Sequence, residues 1–303
     1  MQKNMQKKMK IGWIGLGVMG EPMCQHLLAS GYPVAVYTRS KEKAAKVIEN
    51  GAIWCRSPAE AASLSTVVFT MVGSEQEVRD IYFSADGLFS AAITGSVFID
   101  MGTTAPSLTQ EIAECAKDKG AETIDAPVSG GDVGARNASL SIMAGGKKDT
   151  LARLSPLFSC LGDVQHMGPV GSGQHTKMCN QIVVAGTMIG VCEALVYAKN
   201  AGLDGATLIS AIARGAAGCW TLDNLAPRLL KQDFSSGFMV EHFIKDLEIA
   251  VKEAEVMQLA LPGLSLAKSL YEKVRELGHG RSATQALLLA LESKSSINST
   301  STN

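Results

Sequence analysis

The stretch Ile11-Gly12-Trp13-Ile14-Gly15-Leu16-Gly17-Val18-Met19-Gly20 decides how this 303-residue chain is read. A short apolar run ends in G-x-G-x-x-G at Gly15, Gly17 and Gly20, and a helical pattern over Met19–Ser30 follows. Each glycine has a physical reason. Gly15 makes the tight turn, Gly17 lets backbone approach a pyrophosphate, and Gly20 lets helix and strand pack closely. The start of the helix adds free N–H groups and positive potential. In a chain with 30 glycines such a motif is weak alone, but this one lies in the first strand–helix unit, where a dinucleotide-binding fold needs it. A dinucleotide cofactor is therefore expected on Gly15, Leu16, Gly17, Val18, Met19 and Gly20, the alternative being a purely structural turn.

Outward from that turn, strand patterns at Lys10–Ile14, Val34–Tyr37, Thr66–Val72, Ser96–Asp100, Glu122–Ile124 and Leu140–Ala144 alternate with helical segments such as Lys41–Asn50 and Pro106–Lys119. This alternation argues for a doubly wound, mainly parallel α/β sheet. From Ser172 on, the period becomes 3.6 and no strand pattern follows. The expected helices are His175–Asn200, Asp204–Arg214, Trp220–Lys231, Val240–Gln258, Leu264–Leu277 and Ser282–Glu292. The organisation is thus an N-terminal tail, 1–9; a Rossmann-type NAD(P)-binding domain, 10–171; an all-helical substrate and oligomerisation domain, 172–292, joined through the long helix; and a Ser/Asn/Thr-rich disordered tail, 293–303. His175–Asn200 is apolar nearly all round, which predicts burial on most of its faces. Within Val240–Gln258, Phe243, Leu247, Ala250, Val251 and Ala254 form a single stripe.

Lys plus Arg number 28 and Asp plus Glu 29, a net charge of −1, so there is no basic excess for nucleic acid or for an anionic membrane. Charged residues make up 19% and apolar residues 46%, the mark of a soluble protein with a large core. The longest uncharged stretch, Met178–Cys192, is shorter than the ~20 residues of a membrane span. Seven cysteines are scattered singly with no C-x-x-C, so they read as buried thiols of a reducing cytoplasm, and no metal site is expected. The Lys/Gln-rich start lacks the apolar run of a signal peptide.

At the end of the second strand an NAD site ordinarily has an acid for the ribose. This chain has Thr38, Arg39 and Ser40 there, and Arg39 can fork onto a 2′-phosphate with the hydroxyls as donors. That chemistry points to NADP, with NAD the alternative if Arg39 is only a solvated loop cation. Asp125-Ala126-Pro127-Val128-Ser129-Gly130-Gly131 ends in a turn whose N–H groups and hydroxyl could cradle a carboxylate, although taken alone it reads more readily as a plain loop. Gly171-Ser172-Gly173 opens the long helix, and Lys177 and Asn180, three apart, share a face of it. A lysine on so apolar a helix, turned into a cleft, would be partly desolvated, and its pKa lowered toward working pH, as suits a proton donor. The plainer reading is a lysine snorkelling to water. His175 faces elsewhere and reads as support for the turn.

Four motifs in order, Gly15 to Gly20, Asp125 to Gly131, Gly171 through Lys177 to Asn180, and Lys245-Asp246-Leu247, resemble the β-hydroxyacid dehydrogenase family, which includes 3-hydroxyisobutyrate dehydrogenases and tartronate and succinic semialdehyde reductases. The resemblance implies an NAD(P)-dependent oxidoreductase interconverting a small hydroxy acid and its semialdehyde or oxo acid. It implies Lys177 as catalytic acid/base and Asn180 on the substrate oxygen. Ser129, Gly130 and Gly131 would hold the substrate carboxylate, Lys245 would lie near nicotinamide and substrate, and Asp246 would fix its helix. Asp100-Met101-Gly102-Thr103 looks like the family's Asp-x-Ser-Thr turn, with Gly102 in place of the serine and Thr103 toward the cofactor. Met71 and Val72 match its nicotinamide-ribose loop loosely, Val72-Gly73 standing where Leu-Pro is frequent. The implied partners are a small carboxylate substrate and copies of the chain itself, as a homodimer or homotetramer.

Imine reductases share the fold but usually lack a lysine at the position of Lys177, and a dinucleotide-sensing module would have no need of the Lys177, Asn180 and Lys245 set. Trp220, Phe238 and Phe243 are candidate pocket walls, or simply core aromatics.

Overall fold

The computed structural model describes residues 9–235 and 237–298. The chain divides into two compact units, residues 1–177 and 178–303.

In the first unit, β1 (Ile11–Ile14), β2 (Val34–Tyr37), β3 (Ile53–Trp54), β4 (Val67–Thr70), β5 (Val97–Asp100) and β6 (Glu122–Asp125) form a parallel sheet in the order 3-2-1-4-5-6. On its β6 side, β8 (Leu140–Gly146) runs antiparallel to β6 and to the short β7 (Val128–Ser129), and β9 (Gly162–Gly168) lies parallel to β8. The strands carry apolar residues at successive positions because both faces are covered. Ile11, Trp13, Val36, Val67, Phe69, Val97 and Ile99 pack into one core, whereas Ile14, Ala35, Val68 and Phe98 pack into the other. Trp13 stacks on Phe69 with ring centres 5.3 Å apart. The covering helices are α1 (Gly20–Ala29), α2 (Ala45–Glu49), α3 (Pro58–Ser63), α4 (Glu75–Phe83), α5 (Pro106–Asp118), α6 (Gly131–Arg136) and α7 (Lys148–Phe158).

Three strands escape the sequence reading. β3 and β7 are two residues long, and β9, Gly-Asp-Val-Gln-His-Met-Gly, is polar and largely exposed. Pairing with β8 makes it a strand, since its ladder supplies backbone partners that its side chains do not advertise. The segment 41–50 is a 3₁₀ turn, Lys41–Ala44, followed by α2 rather than one helix.

The second unit is helical. α8 (Ser172–Asn200) begins at the end of the first unit and continues into this one. It is followed by α9 (Gly205–Ile212), α10 (Trp220–Asn224), α11 (Ala226–Leu230), α12 (Val240–Val256), α13 (Pro262–Val274) and α14 (Leu287–Asn298). The helix expected over Trp220–Lys231 is broken into α10 and α11, because Pro227 lacks the N–H that a continuous helix would use. α14 runs to Asn298, past residue 293, where composition predicts disorder; residues 1–8 and 299–303 of the expected tails lie outside the described residues.

α8 differs from expectation as well. Met178, Ala185, Met188, Cys192 and Leu195 form one buried stripe, but Val183 and Tyr197 are 64% and 75% exposed, so the helix is not covered on most faces. Its length and composition would also suffice to cross a membrane, because hydropathy averaged over a window tolerates the isolated charges that break the uncharged run. On α12, Phe243, Leu247, Ala250 and Ala254 are buried as the stripe predicts, and Phe243 packs edge-on against Tyr271 at 4.8 Å.

Candidate active site and cofactor cradle

The parallel register places Ile14, Thr70, Asp100 and Asp125 side by side at the carboxyl ends of β1, β4, β5 and β6. Ligands of open α/β sheets bind at this edge. Gly15 has φ +95°, and a Cβ there would lie 2.3 Å from the Met71 carbonyl oxygen, so only glycine makes this turn. A Cβ on Gly20 would lie 2.1 Å from the Gly15 carbonyl oxygen, to which the Trp13 indole donates at 2.9 Å. Gly17 is exposed and has nothing within 4 Å of its Cβ position. The turn is therefore closed on its inner side and open on its outer side, over the start of α1, as a cradle for a pyrophosphate must be. Val18 is exposed on that open side, whereas Met19 is partly buried against the core and the Leu16 side chain is buried in it.

After β2, Thr38 is buried and Ser40 exposed, while the Arg39 guanidinium, 79% exposed, pairs with the Glu77 carboxylate at 2.6 Å. Glu77 also accepts from the N–H groups of Gly73 and Ser74, closing a capping box at the start of α4. Met71 and Val72 are half-buried. A Cβ on Gly102 would lie 2.9 Å from the Val72 carbonyl oxygen. Glycine at 102 thus goes with the path that the 71–73 loop takes in this chain.

The turn after β5 and the start of α8 share one buried polar network. Asp100 accepts from the Thr70 hydroxyl at 2.9 Å, the Gly102 N–H at 3.2 Å and the Thr104 hydroxyl at 2.5 Å. Asp125 accepts from the N–H groups of Gly171 and Gln174, at 2.8 and 2.9 Å, and so anchors the first turn of α8. Burial pushes the Asp125 carboxyl up to about 6, against the lowering effect of those N–H bonds. Gln174 is fully buried, and its side-chain amide bonds to Gly102 and Thr104. Thr103, between them, is half-buried.

Lys177 is buried, and its ammonium donates to the Val128 carbonyl oxygen at 2.8 Å. The snorkelling alternative is thereby removed. The motif at 125–131 is not one loop, because Val128–Ser129 pairs with β8 and only Gly130 and Gly131, at φ +126° and +62°, turn the chain into α6. Lys177 is thus bonded to the residue preceding Ser129.

In the helical unit, Asp246 is buried and accepts from the Lys245 ammonium at 3.0 Å and from the Gln181 amide at 2.7 Å. Gln181 in turn accepts from the Asn180 amide at 2.7 Å. Asn180, Lys245 and Asp246 are therefore brought together within this unit. Of the candidate pocket walls, Phe243 is a core residue, Phe238 packs against it with the rings tilted, and Trp220 is 64% exposed.

The sequence reading missed Gln174, Gln181, Thr104 and the part that Asp125 plays. Only the carboxylate at a strand end carried a signal; nothing in local sequence marks the glutamines. Among the described residues no cluster of His, Cys, Asp and Glu could hold a metal ion. Burial raises the thiols of Cys55 and Cys192 to about 11 and about 12, so they remain neutral near pH 7.

Residues 10–171 match the family model for the NAD binding domain of 6-phosphogluconate dehydrogenase, and residues 171–291 match that for the NAD-binding domain of NADP-dependent 3-hydroxyisobutyrate dehydrogenase. The chain is 50% identical to the uncharacterized oxidoreductase YkwC of Bacillus subtilis over 92% of its own length and 98% of the relative's. It is also 50% identical to the probable 3-hydroxyisobutyrate dehydrogenase-like 1, mitochondrial, of Arabidopsis thaliana, over 93% and 85%. The solved 3-hydroxyisobutyrate dehydrogenase of Mycobacterium tuberculosis with L-serine superposes with a TM-score of 0.86 at 30% identity, covering 93% of this chain and 99% of that one. An imine reductase of Myxococcus stipitatus, at 18% identity and a TM-score of 0.62, shares the fold alone. With a dinucleotide cradle on its first strand–helix turn and family matches over nearly all of its folded length, the chain belongs to the β-hydroxyacid dehydrogenase family of NAD(P)-dependent oxidoreductases.

Proposed function

We propose that the protein is an NADP-preferring reductase of a small semialdehyde or 2-oxo acid, running in reverse as a hydroxy acid dehydrogenase, with Lys177 as general acid and base. The observation that carries this reading is the buried Lys177 ammonium, bonded to the carbonyl oxygen of Val128, immediately before Ser129-Gly130-Gly131. This supports a reading in which Lys177 donates a proton next to a turn that holds the substrate carboxylate. The L-serine of the Mycobacterium tuberculosis neighbour, a three-carbon acid with a hydroxyl on its third carbon, fits the same substrate class.

When bound, the nicotinamide supplies the two-electron hydride chemistry. Gly15 to Gly20 would hold the cofactor's pyrophosphate, Thr38, Arg39 and Ser40 its adenosine ribose and 2′-phosphate, and Met71, Val72 and Thr103 its nicotinamide end. The Ser129 hydroxyl and the N–H groups of Gly130 and Gly131 bind the substrate carboxylate, with Lys245 adding positive charge. The Asn180 amide holds the reacting oxygen. In reduction the Lys177 ammonium gives that oxygen a proton as it becomes a hydroxyl, and in oxidation the neutral amine removes the hydroxyl proton. Held on a rigid helix, Lys177 needs little reorganisation for the transfer. The preference for NADP rests on Arg39, which must exchange its Glu77 partner for the phosphate.

We further propose that copies of the chain associate as a dimer or tetramer, a reading supported by the exposed Val183 and Tyr197 on α8. Light scattering should give a mass of at least twice 31.9 kDa. The function itself is tested by following NADPH and NADH absorbance with glyoxylate, succinic semialdehyde, tartronate semialdehyde and methylmalonate semialdehyde. Oxidation of NADPH faster than of NADH with at least one of them is expected. No turnover with any would favour a dinucleotide sensor instead.

A further inference from the structure

Gln174 is a fully buried amide on the first turn of α8, and every group around it has a fixed hydrogen-bonding sense. Its Nε2 donates to the Gly102 carbonyl oxygen at 2.8 Å, its Oε1 accepts from the Thr104 N–H at 3.1 Å, and its own N–H donates to Asp125 at 2.9 Å. A carbonyl can only accept and an N–H can only donate, so the amide has one orientation and no side chain without both functions can replace it. The backbone groups it holds belong to the residues on either side of Thr103. Asp100 holds the same turn from the opposite side through the Gly102 N–H and the Thr104 hydroxyl. Lys177 lies three residues beyond Gln174 on the same helix, and therefore moves with it.

The glycines around this point leave the helix little freedom to drift. A Cβ on Gly173 would lie 2.4 Å from the Met143 carbonyl oxygen and 2.8 Å from an Asp125 carboxylate oxygen, and one on Gly145 would lie 2.5 Å from the other. The start of α8 is thus seated on Asp125, and Gln174 carries that position across to the turn after β5.

We infer that Gln174 is a positioning residue that locks the Asp100–Thr104 turn to the helix bearing Lys177, so that the residue beside the cofactor and the proton donor keep a common register. This rests on the roles proposed above for Thr103 and Lys177. Gln174 touches neither substrate nor cofactor; it acts through backbone.

Two variants separate this role from general support of the fold. Gln174→Met keeps length and volume but loses both amide bonds. It should raise the Kd of NADPH, read by fluorescence titration without substrate, about tenfold, and lower kcat ten- to hundredfold, since ångström-scale misplacement costs about that much. Gln174→Glu keeps the acceptor for Thr104 but can donate to Gly102 only when protonated, and burial beside Asp125 favours the protonated form. Its activity should therefore exceed that of the Met variant and approach the native level as the pH falls, while that of the Met variant should not. In a Lys177→Ala background, Gln174→Met should raise the NADPH Kd by the same factor yet add little to the loss of kcat, because the group it positions is gone. A Met variant with Kd and kcat within twofold of native, or a Glu variant as impaired as the Met variant at every pH, overturns the inference. If Lys177→Ala alone retains full turnover, the proton-donor reading fails, whereas the titration still decides whether Gln174 holds the turn.

Discussion

Asp125, in the sheet-containing unit, and Asp246, in the helical unit, are both buried carboxylates beside residues assigned to the reaction, yet their partners differ in kind. Asp125 accepts from the main-chain N–H groups of Gly171 and Gln174. Asp246 accepts from the side chains of Gln181 and Lys245. A carboxylate held by main chain fixes where a segment lies whatever its side chains are, while one held by side chains fixes how those side chains point. The first unit thus fixes its own candidate residues by placing backbone, as the glycines at 15, 20, 145 and 173 also show. The second fixes its own by a relay from Asp246 to Lys245 and, through Gln181, to Asn180.

The largest expected effect tests what the first unit delivers. Lys177→Ala should lower kcat by about 10²–10⁴ while NADPH still binds in a fluorescence titration, and near-native turnover would remove Lys177 from the mechanism. In the second unit, Asp246→Ala deprives the buried Gln181 amide of its acceptor and Lys245 of this carboxylate. A loss of about 3 kcal/mol in urea unfolding is expected, together with a fall in kcat. A loss in stability with unchanged kcat would show that the relay supports the fold and not the site.

The pH dependence of stability sharpens the contrast. The folded Asp125 carboxyl, at about 6, lies above the ordinary value of 3.8, so between these values the folded state holds a proton that the unfolded state has released. Stability then falls as pH rises through that window, by about 2–3 kcal/mol from this group, and is not regained above it. Asp125→Asn should flatten that fall in denaturation series from pH 4 to 7; an unchanged slope would show that another group is responsible. The smallest effect concerns cofactor choice. Arg39→Asp should weaken NADP about tenfold more than NAD, and equal losses would remove Arg39 as the discriminator.

The two regions were also unequally legible. Alternating strand and helix patterns, the glycine turn and the Lys177/Asn180 spacing are local, and they identified the α/β half, the turn at its first strand and the long helix that follows. The polar strand β9, the break at Pro227 and the exposed flank of α8 were misread or missed, because pairing and packing partners far along the chain decide them.

By itself the sequence determined the glycine turn between the first strand and helix and the expectation of a dinucleotide there, since a G-x-G-x-x-G owes its meaning to neighbours a few residues away. It determined too that Lys177 and Asn180 share a helix face, which follows from the helical period alone. Only the tertiary structure decided what holds them. Gln174 meets Gly102 and Thr104 across separations of 72 and 70 residues, and Gln181 meets Asp246 across 65. No period or propensity encodes such pairings; they arise because a buried amide must find a partner, and folding brings these within reach.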